Sequence, residues 1–339
     1  MVKVAVIGLG KMGASHASIV CAHADVDLVA VCDKMPMVSS AFARYNPSVS
    51  VYSDFKKMMD KEALDAVIIA TPTKMHHAMA KAALERGLHV FCEKPFTLTL
   101  EQGEELQQLA SEKNLVNQVG YHNHFIGTFR EMKRLLAGGI LGELFHFTGE
   151  AYGPVVVKPK TGSWRAKADE GGGCLFDYAS HVLNLIQEVI GRPKAVQGTL
   201  LKKFYSKEVE DGVFSVLRLE SELTGTLSVN WSDETYRKMS TSLMVIGEKG
   251  KIVCDATELK IYLKEKNERA SLPKGWTIKY ITDLALPVSF YLRGEEYSAQ
   301  IDYFIERIKK GILGEINTFE QALYTDKVIN KLLEDGRNG

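Results

Sequence analysis

A glycine-rich turn near the N-terminus, Gly8-Leu9-Gly10-Lys11-Met12-Gly13, constrains the fold more than any other feature of the sequence. It directly follows a short apolar run, Val2–Ile7, which has the length of a buried strand. In such a turn the first glycine permits a sharp reversal, the second lets a pyrophosphate approach the backbone, and the third lets a helix pack against the strand. The helix that follows offers free N–H groups to the phosphates. The pattern therefore predicts a dinucleotide-binding unit, with Lys11 and Met12 among the binding residues.

Apolar runs and helical stretches alternate up to residue 120, and this rhythm predicts the architecture of the first domain. Runs that suit strands buried on both faces of a parallel sheet lie at residues 2–7, 28–32, 66–70, 89–92 and 116–119. Helices are predicted between them, near residues 11–23, 35–45, 54–60, 76–86 and 100–113. Residues 1–120 are therefore predicted to form an α/β Rossmann domain with a doubly wound parallel sheet.

The pattern changes after residue 121 to sequential strands joined by short turns. Strands are predicted at residues 143–151, 195–204, 212–220, 223–231, 240–247, 250–254 and 258–264, and helices at 127–138, 174–190, 298–310 and 318–335. Tight turns between neighbouring strands favour antiparallel pairing. Residues 121–339 are therefore predicted to form an α+β domain with an open, mostly antiparallel sheet. The last helix is a candidate to pack back on the first domain.

Bulk composition excludes several classes of partner. Lys plus Arg and Asp plus Glu both number 42, so the chain has no net charge to attract nucleic acid or an anionic membrane. No apolar run approaches the roughly 18 residues of a spanning helix, and the first residues are interpreted as a strand rather than a signal peptide. The five cysteines include no C-x-x-C pair, which favours buried free thiols. We expect a cytoplasmic protein.

Asp33 is predicted to determine whether the protein prefers NAD or NADP. It ends the second strand, about 20 residues after the last glycine of the turn. A carboxylate there can accept hydrogen bonds from the adenine ribose and would repel a 2′-phosphate, which favours NAD over NADP. Lys34 follows directly and would tolerate some NADP. The alternative is that Asp33 merely caps the next helix.

Two groups of polar residues have the chemistry of an acid/base site. Lys94 follows the fifth strand, at the sheet edge where ligands of open α/β sheets bind, and its charge can stabilise a developing alkoxide. Asp177 and His181 are four residues apart, which puts them on one face of a helix, and a histidine can exchange protons near neutral pH. The alternatives are a surface Glu93–Lys94 pair and a surface Asp–His pair.

The sequence resembles the Gfo/Idh/MocA oxidoreductases in four blocks that keep the order of the family. They are residues 8–13, Ala70-Thr71-Pro72-Thr73 with His76, Glu93-Lys94-Pro95, and Gly171-Gly172-Gly173 followed by Asp177 and His181. The resemblance implies that Lys94, Asp177 and His181 are catalytic. It also implies that Thr71, Pro72 and His76 line the cofactor and that Glu93 contacts the nicotinamide ribose. For His76, a position at the start of a helix without a ligand remains an alternative.

Three further residues are candidates for substrate binding. His124 stands where members of the family often have an arginine, so the chain departs from the family pattern at that position. Trp164 and Arg165 resemble a substrate loop in which the guanidinium binds an anionic group, with a solvated arginine as the alternative. We expect no metal at His122 and His124, because no carboxylate or cysteine pairs with them nearby in the sequence. Arg293 cannot be placed.

The resemblance implies an NAD-dependent oxidoreductase that transfers a hydride between nicotinamide and a secondary hydroxyl of a sugar, polyol or nucleotide-sugar. Two alternatives remain: a glycoside-cleaving enzyme with a tightly bound, internally recycled NAD, and a non-catalytic NAD-binding regulator. The exposed apolar face expected for the open sheet, together with the resemblance, predicts a homodimer or homotetramer.

Overall fold

The computed structural model describes residues 1–157, 164–285, 287, 288, 291, 292 and 294–338, with the backbone alone for Trp164 and Asn338. The chain divides into two compact units. The first comprises Met1–His122 with Pro287–Leu323, and the second comprises Asn123–Leu286 with Tyr324–Gly339. Arg293 and the loop residues 158–163 lie outside the described residues.

The strands and helices are numbered along the chain. The strands are β1 (Val2–Ile7), β2 (Val26–Cys32), β3 (Ser50–Tyr52), β4 (Ala66–Ile69), β5 (His89–Cys92), β6 (Asn117–Val119), β7 (Leu144–Tyr152), β8 (Pro193–Lys202), β9 (Gly212–Leu219), β10 (Thr224–Asn230), β11 (Ser240–Gly247), β12 (Gly250–Asp255), β13 (Glu258–Leu263) and β14 (Gly275–Tyr280). The α-helices are α1 (Lys11–Ala22), α2 (Pro36–Tyr45), α3 (Phe55–Lys61), α4 (His76–Glu85), α5 (Leu100–Glu112), α6 (Gly127–Ala137), α7 (Ser180–Val189), α8 (Ile281–Leu284), α9 (Glu295–Lys310) and α10 (Phe319–Asn338).

The first unit is built on a parallel six-stranded sheet in the order β3-β2-β1-β4-β5-β6. Both faces of the sheet are buried: Val4 and Val6 belong to a core that includes Phe304 of α9, whereas Ala5 and Ile7 belong to a core on the other face. The strand order reverses direction between β1 and β4, and ligands of such sheets bind at the carboxyl ends beside that reversal. The prediction of a doubly wound Rossmann sheet is confirmed.

The second unit is built on an eight-stranded sheet in the order β14-β13-β12-β11-β7-β10-β9-β8. Neighbouring strands run antiparallel except β7 and β10, which are parallel. Helices α6 and α7 pack on one face. A Cβ at Gly149 of β7 would lie within 3.0 Å of both Val182 and Ile186, so the absence of a side chain lets α7 lie close to the sheet. The prediction of an open, mostly antiparallel sheet is confirmed.

Large apolar side chains are exposed on several strands of the second sheet. Trp276 and Ile278 of β14 are 56% and 46% exposed, and Tyr262 lies opposite Trp276 on β13. Val216 of β9 is exposed as well. Among the helices of the described ranges, none combines the length and apolarity needed to cross a bilayer.

The helix predicted over residues 174–190 differs from the structure in its first turn. Leu175–Ala179 forms a π-helix, and α7 begins only at Ser180. The wider π-helical turn carries Asp177, while His181 lies in the first turn of α7. Such π-helical segments occur frequently at functional sites.

Candidate functional site

The glycine turn lies at the reversal of strand order in the first unit and is held by two close backbone contacts. Gly8 has a φ of +92°, and a Cβ there would lie 2.7 Å from the carbonyl oxygen of Ala70 at the end of β4. A Cβ at Gly13 would lie 1.7 Å from the carbonyl oxygen of Gly8, so α1 can pack on the turn only through a glycine. A Cβ at Gly10 would meet no atom within 4 Å. The space beside Gly10 is therefore open to a ligand.

This open space suits the pyrophosphate of a dinucleotide. Helix α1 begins directly after Gly10, which has no side chain with which to cap the helix. Its first N–H groups and its dipole therefore favour an anion. Lys11 and Met12 form the first positions of the helix, and Lys11 is exposed. These residues fit a nicotinamide dinucleotide, which would supply hydride acceptance when bound.

Asp33 has both carboxylate oxygens bonded to the backbone near the glycine turn. Its Oδ2 accepts a hydrogen bond from the N–H of Leu9 at 2.6 Å, and its Oδ1 accepts one from the N–H of Met35 at 2.8 Å. These bonds hold a negative charge within the first unit at the end of β2. Lys34, next in the chain, is exposed. The alternative that Asp33 only caps a helix does not account for its bond to Leu9.

Glu93 is buried and bonded to a histidine that the sequence interpretation did not single out. Its Oε1 lies 2.6 Å from Nε2 of His16 on α1, and both side chains are at most 10% exposed. Burial raises the pKa of Glu93, but the His16 contact, with smaller contributions from Lys94 and His122, outweighs burial and holds that pKa below its usual range. Glu93 is therefore a fixed anion directly before Lys94.

Lys94 is half-buried at the carboxyl end of β5. Because β5 pairs with β4 and β4 with β1, Lys94 lies at the same edge of the sheet as the glycine turn. The backbone continues through a cis bond to Pro95. Thr71 and Pro72 follow β4 at this edge, and Pro72 is exposed. His76, at the start of α4, is fully buried, and its ring nitrogens contact backbone carbonyls of these two loops.

Asp177 forms an ion pair with Arg165 in the second unit. Nε of Arg165 lies 2.7 Å from Oδ2 of Asp177, whose side chain is only 2% exposed. Burial lowers the pKa of Arg165, but the neighbouring carboxylate outweighs it and raises that pKa above its ordinary value. The structure thus joins two residues that the sequence interpretation placed in separate motifs. The alternative of a merely solvated Arg165 does not describe this contact.

The glycine triplet brings the Arg165 loop and the π-helix together. A Cβ at Gly172 would lie 2.4 Å from the carbonyl oxygen of Arg165 and 2.6 Å from that of Lys167. The N–H of Gly173 donates to the carbonyl of Arg165 at 3.1 Å, and the N–H of Asp177 donates to the carbonyl of Gly173 at 3.1 Å. The triplet therefore fixes the backbone on both sides of the Arg165–Asp177 pair.

His181 and His124 are both buried in the second unit. Nε2 of His124 lies 2.6 Å from Oδ1 of Asn184, one turn after His181 on α7, and Nδ2 of Asn184 donates to Thr325 at 3.3 Å. Burial lowers the pKa of His124. This arrangement leaves His124 neutral and donating to the amide oxygen, so it braces the helix that carries His181.

Some predicted residues are only partly described or were missed. The side chain of Trp164 lies outside the described residues. Lys94 belongs to the first unit, whereas Asp177 and His181 belong to the second. His16 was missed although it lies three residues after Gly13 on the buried face of α1, where a polar residue in an apolar stripe is a usable signal. Within the described ranges, no group of three or more His, Cys, Asp or Glu residues could hold a metal ion.

Comparison with known proteins finds models of one family over most of the chain. The model for the "Oxidoreductase family, NAD-binding Rossmann fold" of the GFO/IDH/MocA group matches residues 2–121, and the "GFO/IDH/MocA C-terminal domain" matches residues 129–253. D-glucoside 3-dehydrogenase of Escherichia coli (strain K12) is 33% identical over 192 residues, which cover 56% of this chain and 54% of the relative. The scyllo-inositol 2-dehydrogenase (NADP(+)) of Bacillus subtilis (strain 168) is 29% identical over 167 residues, 49% of this chain and 45% of the relative.

These matches span about half the length of the curated relatives. A solved structure of levoglucosan dehydrogenase in complex with NADH superposes with a TM-score of 0.88, covering 99% of this chain and 97% of that one. Its sequence identity is 21%, so the likeness concerns the fold.

A parallel sheet with this strand order and a glycine turn at its reversal defines a dinucleotide-binding protein of the Rossmann class. The family models together match well over half of the chain. The chain belongs to the Gfo/Idh/MocA oxidoreductase family.

Two glycine substitutions should separate folding from cofactor binding. Gly10→Ala adds a methyl group in open space, so we expect a change in unfolding free energy within about 1 kcal/mol but at least a tenfold weaker NADH affinity, or about 1.4 kcal/mol. Gly13→Ala drives a Cβ into the backbone of Gly8 and should cost about 3 kcal/mol of stability. Denaturant unfolding and NADH fluorescence titration measure both effects. If the Gly10→Ala protein binds NADH as tightly as the unaltered protein, the space beside Gly10 does not hold the pyrophosphate.

Replacing His16 should reverse the pH dependence that Glu93 contributes to the free energy of unfolding. The lowered pKa of Glu93 means that its stabilising charge is present above the unfolded value of about 4.3 and is lost as pH falls through the lower folded value. In His16→Leu, burial dominates and raises that pKa, so stability should fall as pH rises from 4 to 7. At pH 7 we expect a loss of about 3 kcal/mol or more.

Denaturant unfolding between pH 4 and pH 7 would measure this effect, with His16→Leu/Glu93→Gln as the control. Because the double variant lacks the buried carboxylate, its stability should not show the reversed pH trend. If His16→Leu keeps the pH trend of the unaltered protein, the contact with His16 does not hold the pKa of Glu93 below its usual range.

Proposed function

We propose that this protein is an NAD-dependent dehydrogenase that transfers a hydride between nicotinamide and a secondary hydroxyl of a sugar, polyol or nucleotide-sugar. One observation carries the proposal: the open space beside Gly10 and the half-buried Lys94 lie at the same edge of one parallel sheet. The open space suits the phosphates of a bound dinucleotide. Lys94 suits a substrate oxygen that gains negative charge during the reaction. The names of sugar and inositol dehydrogenases among the relatives support the substrate class.

The proposed chemistry assigns a separate role to each of the predicted catalytic residues. Nicotinamide, when bound, would supply the acceptor for the hydride that the substrate C–H bond loses. His181 would take the proton of the substrate O–H bond, so that the alcohol becomes a ketone. Lys94 donates a hydrogen bond to the substrate oxygen and stabilises its developing charge. Asp177, ionised and oriented by Arg165, directs the substrate or the imidazole. His124, through Asn184, supports the helix of His181, and Trp164 and Arg165 are proposed to contact substrate.

We propose that the first unit binds the cofactor and the second binds the substrate. The fixed negative charge of Asp33 supports NAD over NADP, because it would repel a 2′-phosphate. Thr71, Pro72 and Glu93 are proposed cofactor contacts in the same unit. The five free cysteines, four of them buried, support a cytoplasmic location, where thiols stay reduced.

A substrate panel tests the proposal. Purified protein is mixed with methyl β-D-glucopyranoside, levoglucosan or scyllo-inositol and with NAD or NADP, and formation of reduced nicotinamide is followed by absorbance. Lys94→Ala and His181→Ala should each lower turnover by about 10²- to 10⁴-fold while NADH affinity stays within a few-fold. Lys61→Ala, an exposed lysine on α3, is the matched control and should keep full turnover.

Three results would contradict parts of the proposal. Full activity in both variants would remove the assigned catalytic roles. Cofactor that remains bound through purification, with glycoside cleavage and no net reduction, would favour the enzyme with internally recycled NAD. Binding of NADH without any turnover on a broad panel would favour a regulator.

We also propose that the exposed sheet face of the second unit pairs with a second copy of the chain. Trp276 and Ile278 are exposed beside Tyr262, and β13 carries both Glu258 and Lys260, so the face is apolar and contains both signs of charge. Such a face is suited to a two-fold interface.

A charge at Trp276 should dissociate this assembly. Sedimentation velocity at micromolar concentration should show a dimer or tetramer for the unaltered protein and mainly monomer for Trp276→Lys, because a buried, unpaired ammonium opposes association. Tyr45→Lys changes an exposed aromatic residue of the first unit and should leave the assembly intact. A monomeric unaltered protein would refute the interface.

A further inference from the structure

The imidazole of His76 is fully buried and contacts two loops of the first unit. Nδ1 lies 2.9 Å from the carbonyl oxygen of Pro95 and 3.2 Å from that of Phe96. Nε2 lies 2.9 Å from the carbonyl oxygen of Thr71. Both ring nitrogens are therefore engaged by the backbone, which leaves this side chain poorly suited to a direct contact with a ligand.

The two loops follow neighbouring strands at the edge of the sheet where the glycine turn lies. Thr71 comes shortly after β4, and Pro95 and Phe96 come directly after Lys94 at the end of β5. On its N-terminal side Lys94 is fixed by the sheet, because the N–H of Glu93 donates to the carbonyl of Ile69 at 2.8 Å. On its C-terminal side the backbone is fixed by His76. Lys94 therefore lies between a backbone hydrogen bond of the sheet and the contacts of the His76 ring.

The number of N–H donors on the His76 ring indicates which of its contacts is a hydrogen bond. Carbonyl oxygens only accept, and a neutral imidazole has a single N–H. Burial lowers the pKa of His76, which favours the neutral ring, while the three carbonyl contacts and the charge of Glu93 act in the opposite direction. Two carbonyls converge on Nδ1 and one lies at Nε2. In the neutral ring the proton therefore belongs on Nδ1, where it donates to the loop that carries Lys94.

We propose that His76 is a positioning residue that holds Lys94 in place through an Nδ1–H bond to the loop of Pro95 and Phe96. The inference rests on the proposed function for its catalytic consequence, since Lys94 is the group whose position matters there. It replaces the expected contact between His76 and the cofactor with an indirect role. A displacement of about 1 Å in a group that contacts the reacting atoms can lower a rate 10²-fold.

Substitutions that mimic one ring nitrogen at a time test which nitrogen of His76 holds the loop of Pro95 and Phe96. The amide nitrogen of asparagine reaches roughly the place of Nδ1, and that of glutamine reaches roughly the place of Nε2. With the panel sugar that the unaltered protein oxidises fastest, His76→Asn should keep kcat within about threefold, whereas His76→Gln and His76→Leu should lose about 10- to 100-fold. KM for that sugar and Kd for NADH should stay within about threefold in all three. His77→Asn, whose parent ring bonds the exposed Glu105 on α5, is the matched control.

Hydrogen exchange by mass spectrometry gives a readout that needs no turnover. Amides of the segment 91–100 should exchange faster in His76→Leu and His76→Gln than in His76→Asn, His77→Asn or the unaltered protein. Exchange that is equal in all five proteins would overturn the positioning role, as would equal loss of kcat in the Asn, Gln and Leu variants. A loss confined to NADH affinity would assign His76 to the cofactor instead. If the unaltered protein shows no turnover but segment 91–100 still exchanges faster in His76→Leu and His76→Gln, the proposed dehydrogenase is refuted and the loop contact is supported.

Discussion

The close approach of the glycine turn to the end of β4 is the contact on which the first unit depends. Gly8 fits against the carbonyl of Ala70, and Gly13 fits against Gly8, so strand β1, helix α1 and strand β4 meet without any intervening side chain. This arrangement leaves the N-terminus of α1 uncovered beside Gly10. The same sheet edge receives Lys94 from β5, because parallel strands place their carboxyl ends together. A packing constraint thus leaves the N-terminus of α1 uncovered at the sheet edge where Lys94 lies.

Buried charges at both candidate sites are held by partners within their own unit. Glu93 is paired with His16, and Asp177 is paired with Arg165. A buried carboxylate without a partner would be strongly destabilised, so each pair keeps its carboxylate charged and in one orientation. In both cases the partner comes from a different segment, α1 or the loop before the glycine triplet. The electrostatic character of each site is therefore organised by the fold before any ligand binds.

The sequence was sufficient for the elements that have a strong local period. The bounds of strand β1, the glycine turn and helix α1 could be predicted to within one residue, because each has a pattern in its own stretch of sequence. Strand β14 was missed because Trp276, Ile278 and Tyr280 alternate in an edge strand with little burial. The π-helix at Leu175–Ala179 was missed because its sequence is that of an ordinary helix, and packing decides the extra residue per turn.

Side-chain partners at the candidate site were less predictable than the backbone, since they depend on contacts between distant segments. Glu93 and His16 are 77 residues apart, and no local pattern relates them. The pairing nevertheless follows from topology, because α1 covers the face of the sheet near the end of β5, where Phe91 contacts the His16 ring. A sequence argument that asked which buried helix positions face the strand ends would have found His16. The same question applied to α4 leads to His76, whose buried ring joins the loops after β4 and β5.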